Sequence, residues 1–214
     1  MTSWRAPSEP PAAVLARVIK LYWCPRTRAS RALWLLEELG QDFEIVEIDI
    51  RDASSRSNEA FREASPMSKV PALSDGPVKL ADSAAIGIYL ADRYPEASLA
   101  PAVDHPDRGR YLFWMTFTPG VIEPAMSEKF NGWEVNPSQS GWGSFDLMIE
   151  TLELGLQPGP WLLGERFSAA DVLVGSSVNF MRSFGMLPDS QVLFDYADRC
   201  IARPAFTRAM AREG

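Results

Sequence analysis

Apolar positions along the chain follow two periods, and the change between them divides it. Residues 18–22, Val-Ile-Lys-Leu-Tyr, read as a strand. From Arg28 to Leu39, Ala32, Leu33, Leu36 and Leu39 recur at helical spacing, and Gly40 supplies the stop. Phe43 to Ile50 alternates closely enough for a second strand, and the adjacent Ile45 and Val46 predict a phase shift or bulge. A short helix is expected over 58–63. Pro71 to Leu80 reads as a hairpin turning at Asp75-Gly76, and Ser83 to Tyr94 is helical again. The order βαβ, α, ββ, α predicts a mixed four-stranded sheet with helices on both faces.

Beyond Tyr94-Pro95 the pattern changes. Residues 96–107 are rich in Pro and Ala, lack periodicity and read as a linker. Everything after them is helical, with helices starting at about Arg108, Gln139, Ser168, Ser190 and Pro204. Pro119-Gly120 interrupts the first of these, because proline removes a hydrogen bond and predicts a kink or a break. Ser168-Ala169-Ala170-Asp171 has capping-box spacing behind Phe167, a structural feature whose loss should cost about 1 kcal/mol.

Composition narrows the function classes. The chain has 214 residues, enough for one large domain or two small ones. Its net charge of −7 opposes sequence-independent nucleic-acid binding, which needs a positive footprint. Cys24 and Cys200 lie far apart and His105 is the single histidine, so no metal-ligand spacing exists and a reduced, cytoplasmic compartment is expected. No run of 18 apolar residues is present to span a membrane. Residues 1–17 hold Pro7, Pro10 and Pro11, lack the apolar run of a secretory signal, and read as a loose tail.

Candidate chemistry lies in two segments. Residues 65–83 combine an extended edge whose backbone can pair with a peptide, Lys69 for a carboxylate, and a helix start at Asp82-Ser83 with free N–H groups and partial positive charge. Trp23-Cys24-Pro25-Arg26-Thr27-Arg28 fills the turn between the first strand and the first helix.

These residues together resemble the glutathione transferase family, and the resemblance runs from Val18 through Arg203-Pro204-Ala205-Phe206. It implies a thioredoxin-like glutathione-binding domain over 18–95, the linker at 96–107, and an all-helical domain over 108–214 with a hydrophobic-substrate pocket. It also implies glutathione as co-substrate without a metal, conjugation to a small hydrophobic electrophile, and a homodimer. Ser83 and the helix N–H groups would hold the γ-glutamyl carboxylate, and Asp82 would attract the amine. Val70, ahead of a cis Pro71, would pair its backbone with the cysteinyl residue. Lys69 would take the glycine carboxylate, with Arg26 or Arg28 as further candidates.

Catalysis requires the thiolate. A free thiol has a pKa of ~8.5, and lowering it by two units requires about 2.7 kcal/mol in favour of the anion. The resemblance leaves three residues open for this task. Thr27 stands four residues before Arg31, the spacing of the serine-type hydroxyl, with threonine in place of serine; it is also an ordinary N-cap. Cys24-Pro25 resembles omega-type transferases and glutaredoxins, implying a mixed disulfide and a glutathione-dependent thiol reductase or lyase, although Cys24 lies about two residues further from the helix than those cysteines. Tyr22 ends the strand, as the tyrosine of other members does. The resemblance places Tyr111, Trp114 or Met115, and Thr118 along the electrophile pocket, and Trp133 and Trp142, in a Gly- and Ser-containing loop region, are expected to cap its opening. A non-catalytic binding module is the further alternative.

Overall fold

The computed structural model describes residues 18–213; the tail expected over 1–17 lies outside the described residues. Strand β1 (Ile19–Trp23) pairs in parallel with β2 (Phe43–Glu47) and antiparallel with β3 (Ala72–Asp75), which pairs in turn with β4 (Val78–Ala81). The sheet order is therefore β2-β1-β3-β4. Helices α1 (Ala29–Leu39), α2 (Ala53–Arg56), α3 (Glu59–Ala64) and α4 (Ser83–Arg93) accompany it. Side-chain alternation sends Ile19, Leu21 and Trp23 into the main core with α1 and α4. Tyr22 faces the other way, into a smaller cluster with Ile48, Phe61 and Ala72. This is the thioredoxin-like arrangement that the element order predicts.

Three local expectations in this half are corrected. The β1–β2 register runs unbroken through Leu21–Ile45 and Tyr22–Val46, so there is no bulge there. The strand also stops at Glu47 rather than Ile50. Asp49 accepts the amide of Arg51, and Asp52 accepts those of Ser54 and Ser55, which starts α2. The hairpin turn is made by Gly76 and Pro77 rather than Asp75-Gly76: Asp75 still pairs within β3, and Gly76 takes the left-handed φ of 58°.

The C-terminal part is helical: α5 (Arg108–Phe117), α6 (Glu123–Asn131), α7 (Phe145–Gly155), α8 (Ala169–Ser183), α9 (Gln191–Ile201) and α10 (Pro204–Ala211). Pro119 does not break its helix. A π-helical turn, Thr118–Ile122, carries α5 into α6, and the wider turn accommodates a residue without an N–H. The helix expected from Gln139 begins instead at Phe145. Asn136 accepts the amide and hydroxyl of Ser138, Gly143 is left-handed at φ 72°, and only then does the Ser144 hydroxyl cap Leu147 N–H. The expected linker is also anchored: Leu99 is buried and its carbonyl accepts Ala169 N–H at 2.8 Å.

Helix α8 is buried along most of its length and packs on α1, α4 and α5. Its capping box forms, with Ser168 N–H donating to Asp171 Oδ2 at 2.9 Å. Asp171 does more than cap. Its Oδ1 accepts Leu162 N–H and the Tyr196 hydroxyl, both at 3.0 Å, and burial pushes the carboxyl up to about 6. Helix α1 is held from the other side by α10. Glu38 receives Arg203 through two bonds, and Glu37 receives Arg208 and Arg212.

Candidate active site

Segment 65–83 is shaped by its own short-range bonds. The Ser65 hydroxyl donates to Lys69 carbonyl at 2.7 Å and accepts Lys69 N–H at 3.0 Å, closing a turn in which Ser68 is left-handed. The chain leaves this turn through a cis Val70-Pro71 bond into β3. At the other end Asp82 takes φ 78°, uncommon for a non-glycine residue, and its Oδ1 accepts Ala84 and Ala85 N–H at 2.8 and 3.3 Å. Ser83, the first residue of α4, is buried. Lys69, Val70, Pro71, Asp82 and Ser83 all line one cavity of about 640 Å³.

The opposite wall of that cavity comes from distant sequence. Arg28 and Arg31 project from the start of α1, and Thr118, Pro119 and Glu123 from the π turn and α6. Glu123 Oε1 accepts Arg28 Nε at 2.7 Å and Arg31 Nη1 at 2.6 Å. Arg31 is buried and its Nη2 donates to the Ser177 hydroxyl at 2.9 Å. Burial lowers the Arg31 pKa against the pull of Glu123. Burial also pushes Glu123 upward, but the bonds and charges of Arg28 and Arg31 outweigh it and leave that carboxyl below its ordinary value.

Two further cavities adjoin. One, of about 310 Å³, is lined by Arg26, Arg28, Arg56 and Lys69 together with Thr27, Ser68 and Val70, and by no carboxylate. The other, of about 560 Å³, has an apolar wall of Trp34, Met126, Phe180, Phe184, Phe206 and Met210, with Glu123 and Glu213 among its polar residues. The Phe180 and Phe184 rings lie 4.4 Å apart and are both exposed. A basic pocket, a groove ending at a helix start, and an aromatic chamber thus meet beside the first turn of α1.

The three residues open for the sulfur occupy different places. The Thr27 hydroxyl donates to Cys24 carbonyl at 2.7 Å and accepts Ala29 N–H at 3.1 Å, while the residue lines the basic and aromatic cavities. Its single proton is therefore engaged in holding the turn. Cys24 is half-buried with a free thiol and lines none of the three cavities. Tyr22 is buried on the far side of the sheet, its ring 5.6 Å from that of Phe61.

The stripe expected along the electrophile pocket separates. Tyr111, Trp114 and Met115 are buried in the core, where Trp114 covers Gly155 and Met115 reaches Gly87. Thr118 lines the groove beside Asp82 rather than the aromatic chamber. Trp133 and Trp142 line none of the three cavities, and the Trp142 indole donates to Glu128 at 2.8 Å. Periodicity alone could not separate core from cavity on that helix. Glu123, Arg56 and the aromatic wall of α8 and α10 carried no sequence signal; the capping boxes and helix periods hid them among ordinary helical positions. No helix among the described residues is long and apolar enough to cross a membrane.

Residues 17–92 match the family model described as Glutathione S-transferase, N-terminal domain. Over 174 residues the chain is 39% identical to glutathione S-transferase Z2 of Arabidopsis thaliana, a match spanning 75% of each chain. It is 26% identical to the disulfide-bond oxidoreductase YfcG of Escherichia coli, over 91% of this chain and 95% of that one. A 29% identical glutathione S-transferase of Arabidopsis thaliana is matched over 67% of this chain and 61% of its own length. Among solved structures, a glutathione transferase from Methylococcus capsulatus is similar with a TM-score of 0.78 at 30% identity, covering 92% of this chain and 99% of that chain. A sphingomonad glutathione S-transferase complexed with glutathione gives a TM-score of 0.75 at 28% identity, over 91% and 98%. With its mixed sheet, helical C-terminal part and these relatives, the chain belongs to the glutathione transferase family.

Proposed function

We propose that the protein binds glutathione along segment 65–83 and transfers its thiolate to a small apolar electrophile. The observation that carries this reading is the match between the cleft and the charges of a zwitterionic tripeptide. Arg26, Arg56 and Lys69 surround the place of the glycine carboxylate in a cavity without acids. At the other end Asp82 faces the γ-glutamyl amine, and Ser83 with the start of α4 receives the α-carboxylate. Val70, extended before Pro71, offers its backbone to the central residue. The similarity to a sphingomonad structure complexed with glutathione supports glutathione as the ligand.

The aromatic chamber beside the α1 turn supplies the second substrate's site. The thiol proton leaves to water, the sulfur forms a bond to the electrophilic carbon, and the leaving group departs with its electron pair. Thr27 orders the turn through its bonds to Cys24 and Ala29, which keeps the start of α1 directed at the sulfur. A homodimer is the assembly proposed, to be checked by sedimentation.

A second reading is disulfide reduction, favoured by the similarity to the YfcG oxidoreductase. A route through Cys24 has less support, since that thiol stands off the three cavities. Calorimetry with glutathione, then assays with an activated aryl halide and with a mixed disulfide, test both. Conjugation with the aryl halide supports the transfer reading. Turnover of the disulfide alone, abolished in Cys24→Ser, replaces it, and no binding at millimolar glutathione removes it.

A further inference from the structure

Arg28 is the one residue that lines all three cavities. The proposed function puts the glycyl end of glutathione in the basic cavity and its γ-glutamyl end in the groove, with the electrophile in the aromatic chamber. The sulfur must then lie where the three meet. The side chain of Arg28 is 58% exposed, open to a ligand there. Its Nε is held by Glu123 Oε1, which fixes the plane of the guanidinium, while Nη1 and Nη2 have no partner among the described residues. By contrast, the Thr27 proton is engaged by the Cys24 carbonyl and Tyr22 lies behind the sheet.

We propose that the Arg28 guanidinium, rather than the Thr27 hydroxyl, is the catalytic group that holds the glutathione sulfur as its anion. This rests on the glutathione reading above. The thiol proton goes to water and Arg28 stays charged throughout, so it acts as a fixed cation and two-armed donor. An opposite charge within about 4–6 Å lowers an acid's pKa by roughly 1–3 units. Solvent exposure and the shared Glu123 place Arg28 at the low end of that range. The other charges around the junction are Arg26, Arg31, Arg56 and Lys69 against Glu123, Asp82 and Glu213. Arg31 is committed to Glu123 and Ser177, and Arg26, Arg56 and Lys69 each miss at least one of the three cavities, which leaves Arg28 as the cation with free donors that reaches all three. Glu123 therefore acts as a positioning residue.

The test is ultraviolet titration of the thiolate of bound glutathione, with conjugation rates across pH at saturating glutathione. Arg28→Gln should raise the bound-thiol pKa by about one unit, with a ~tenfold loss of turnover at neutral pH that fades as pH rises. Arg28→Lys should recover most of the shift. Lys69→Gln should instead raise the glutathione concentration required while leaving the bound-thiol pKa in place. An Arg28→Gln variant whose bound thiol ionises as in the wild type overturns the assignment, as does one that only binds glutathione more weakly, which would make Arg28 a carboxylate anchor. Both results leave the transferase reading standing. Failure of the wild type to bind glutathione removes both.

Discussion

Segment 65–83 and the start of α1 are both walls of the same cleft, yet they are built by opposite means. The first is held by bonds spanning two to four residues: Ser65 to Lys69, and Asp82 to Ala84 and Ala85. The second is held by carboxylate–arginine contacts from residues more than 90 positions away: Glu123 to Arg28 and Arg31, and Glu37 and Glu38 to Arg203, Arg208 and Arg212. One wall can be formed by a short stretch of chain; the other exists only when the two halves are packed. Substitutions in the first should therefore act mainly on ligand affinity, and those in the second mainly on folding.

Asp171 combines both means and should show the largest effect. If it only capped α8, Asp171→Ala would cost about 1 kcal/mol. Because Leu162 N–H and the buried Tyr196 hydroxyl also depend on it, we expect about 4 kcal/mol, read from the urea midpoint. A loss near 1 kcal/mol would reduce Asp171 to its local role. Next in size is Glu123→Leu, which leaves buried Arg31 without its carboxylate and should cost about 3 kcal/mol.

The two carboxyls also give opposite pH signatures. Burial raises the folded-state pKa of Asp171 to about 6, above its unfolded value, so the folded state holds the proton longer. Its contribution to stability therefore falls as pH rises from roughly 4 to 6 and is flat above. The folded-state pKa of Glu123 is lowered, so its contribution is present above the unfolded value and is lost as pH falls through the folded one. Unfolding of Asp171→Asn and Glu123→Gln across pH should deviate from wild type with opposite slopes; parallel profiles would contradict this assignment.

The smaller effects test both walls. Glu37→Gln loosens two half-exposed arginines and should cost about 1 kcal/mol, with faster hydrogen exchange in α10. Asp82→Ala should also lose about 1 kcal/mol of cap stability, while the glutathione KM rises about tenfold or more. If it destabilises the fold more than Glu123→Leu does, the distinction between the walls fails. Thr27→Val should be mildest, costing about 0.5–1 kcal/mol through the turn with under about threefold change in turnover. A collapse of turnover there would return the sulfur to Thr27.

The βαβ, α, ββ, α order was legible from side-chain period and turn residues, as were the box at Ser168 from its capping residues and the hairpin before α4, whose turn lies one residue later than expected. Each depends on neighbours within a few residues. The bulge at Ile45-Val46 was misread because two adjacent apolar residues can both find partial burial at a sheet edge without any change of register. The helix start at Gln139 was misread because Asn136 and Gly143 favour a string of turns over an earlier cap. Tyr111, Trp114 and Met115 show the limit of periodicity. A helical stripe says which face is covered, but not whether protein or ligand covers it.

The sequence by itself determined the order of most elements, the hairpin and helix start along 65–83 and the charges available to a tripeptide, because propensity, capping and turn chemistry act over a few residues. Tertiary structure alone decided that Glu123 would sit between Arg28 and Arg31, and that Phe180, Phe184, Phe206 and Trp34 would line one chamber. Those outcomes come from bringing α6, α8 and α10 against α1, where burial and the pairing of charge select one arrangement among many that the local pattern permits.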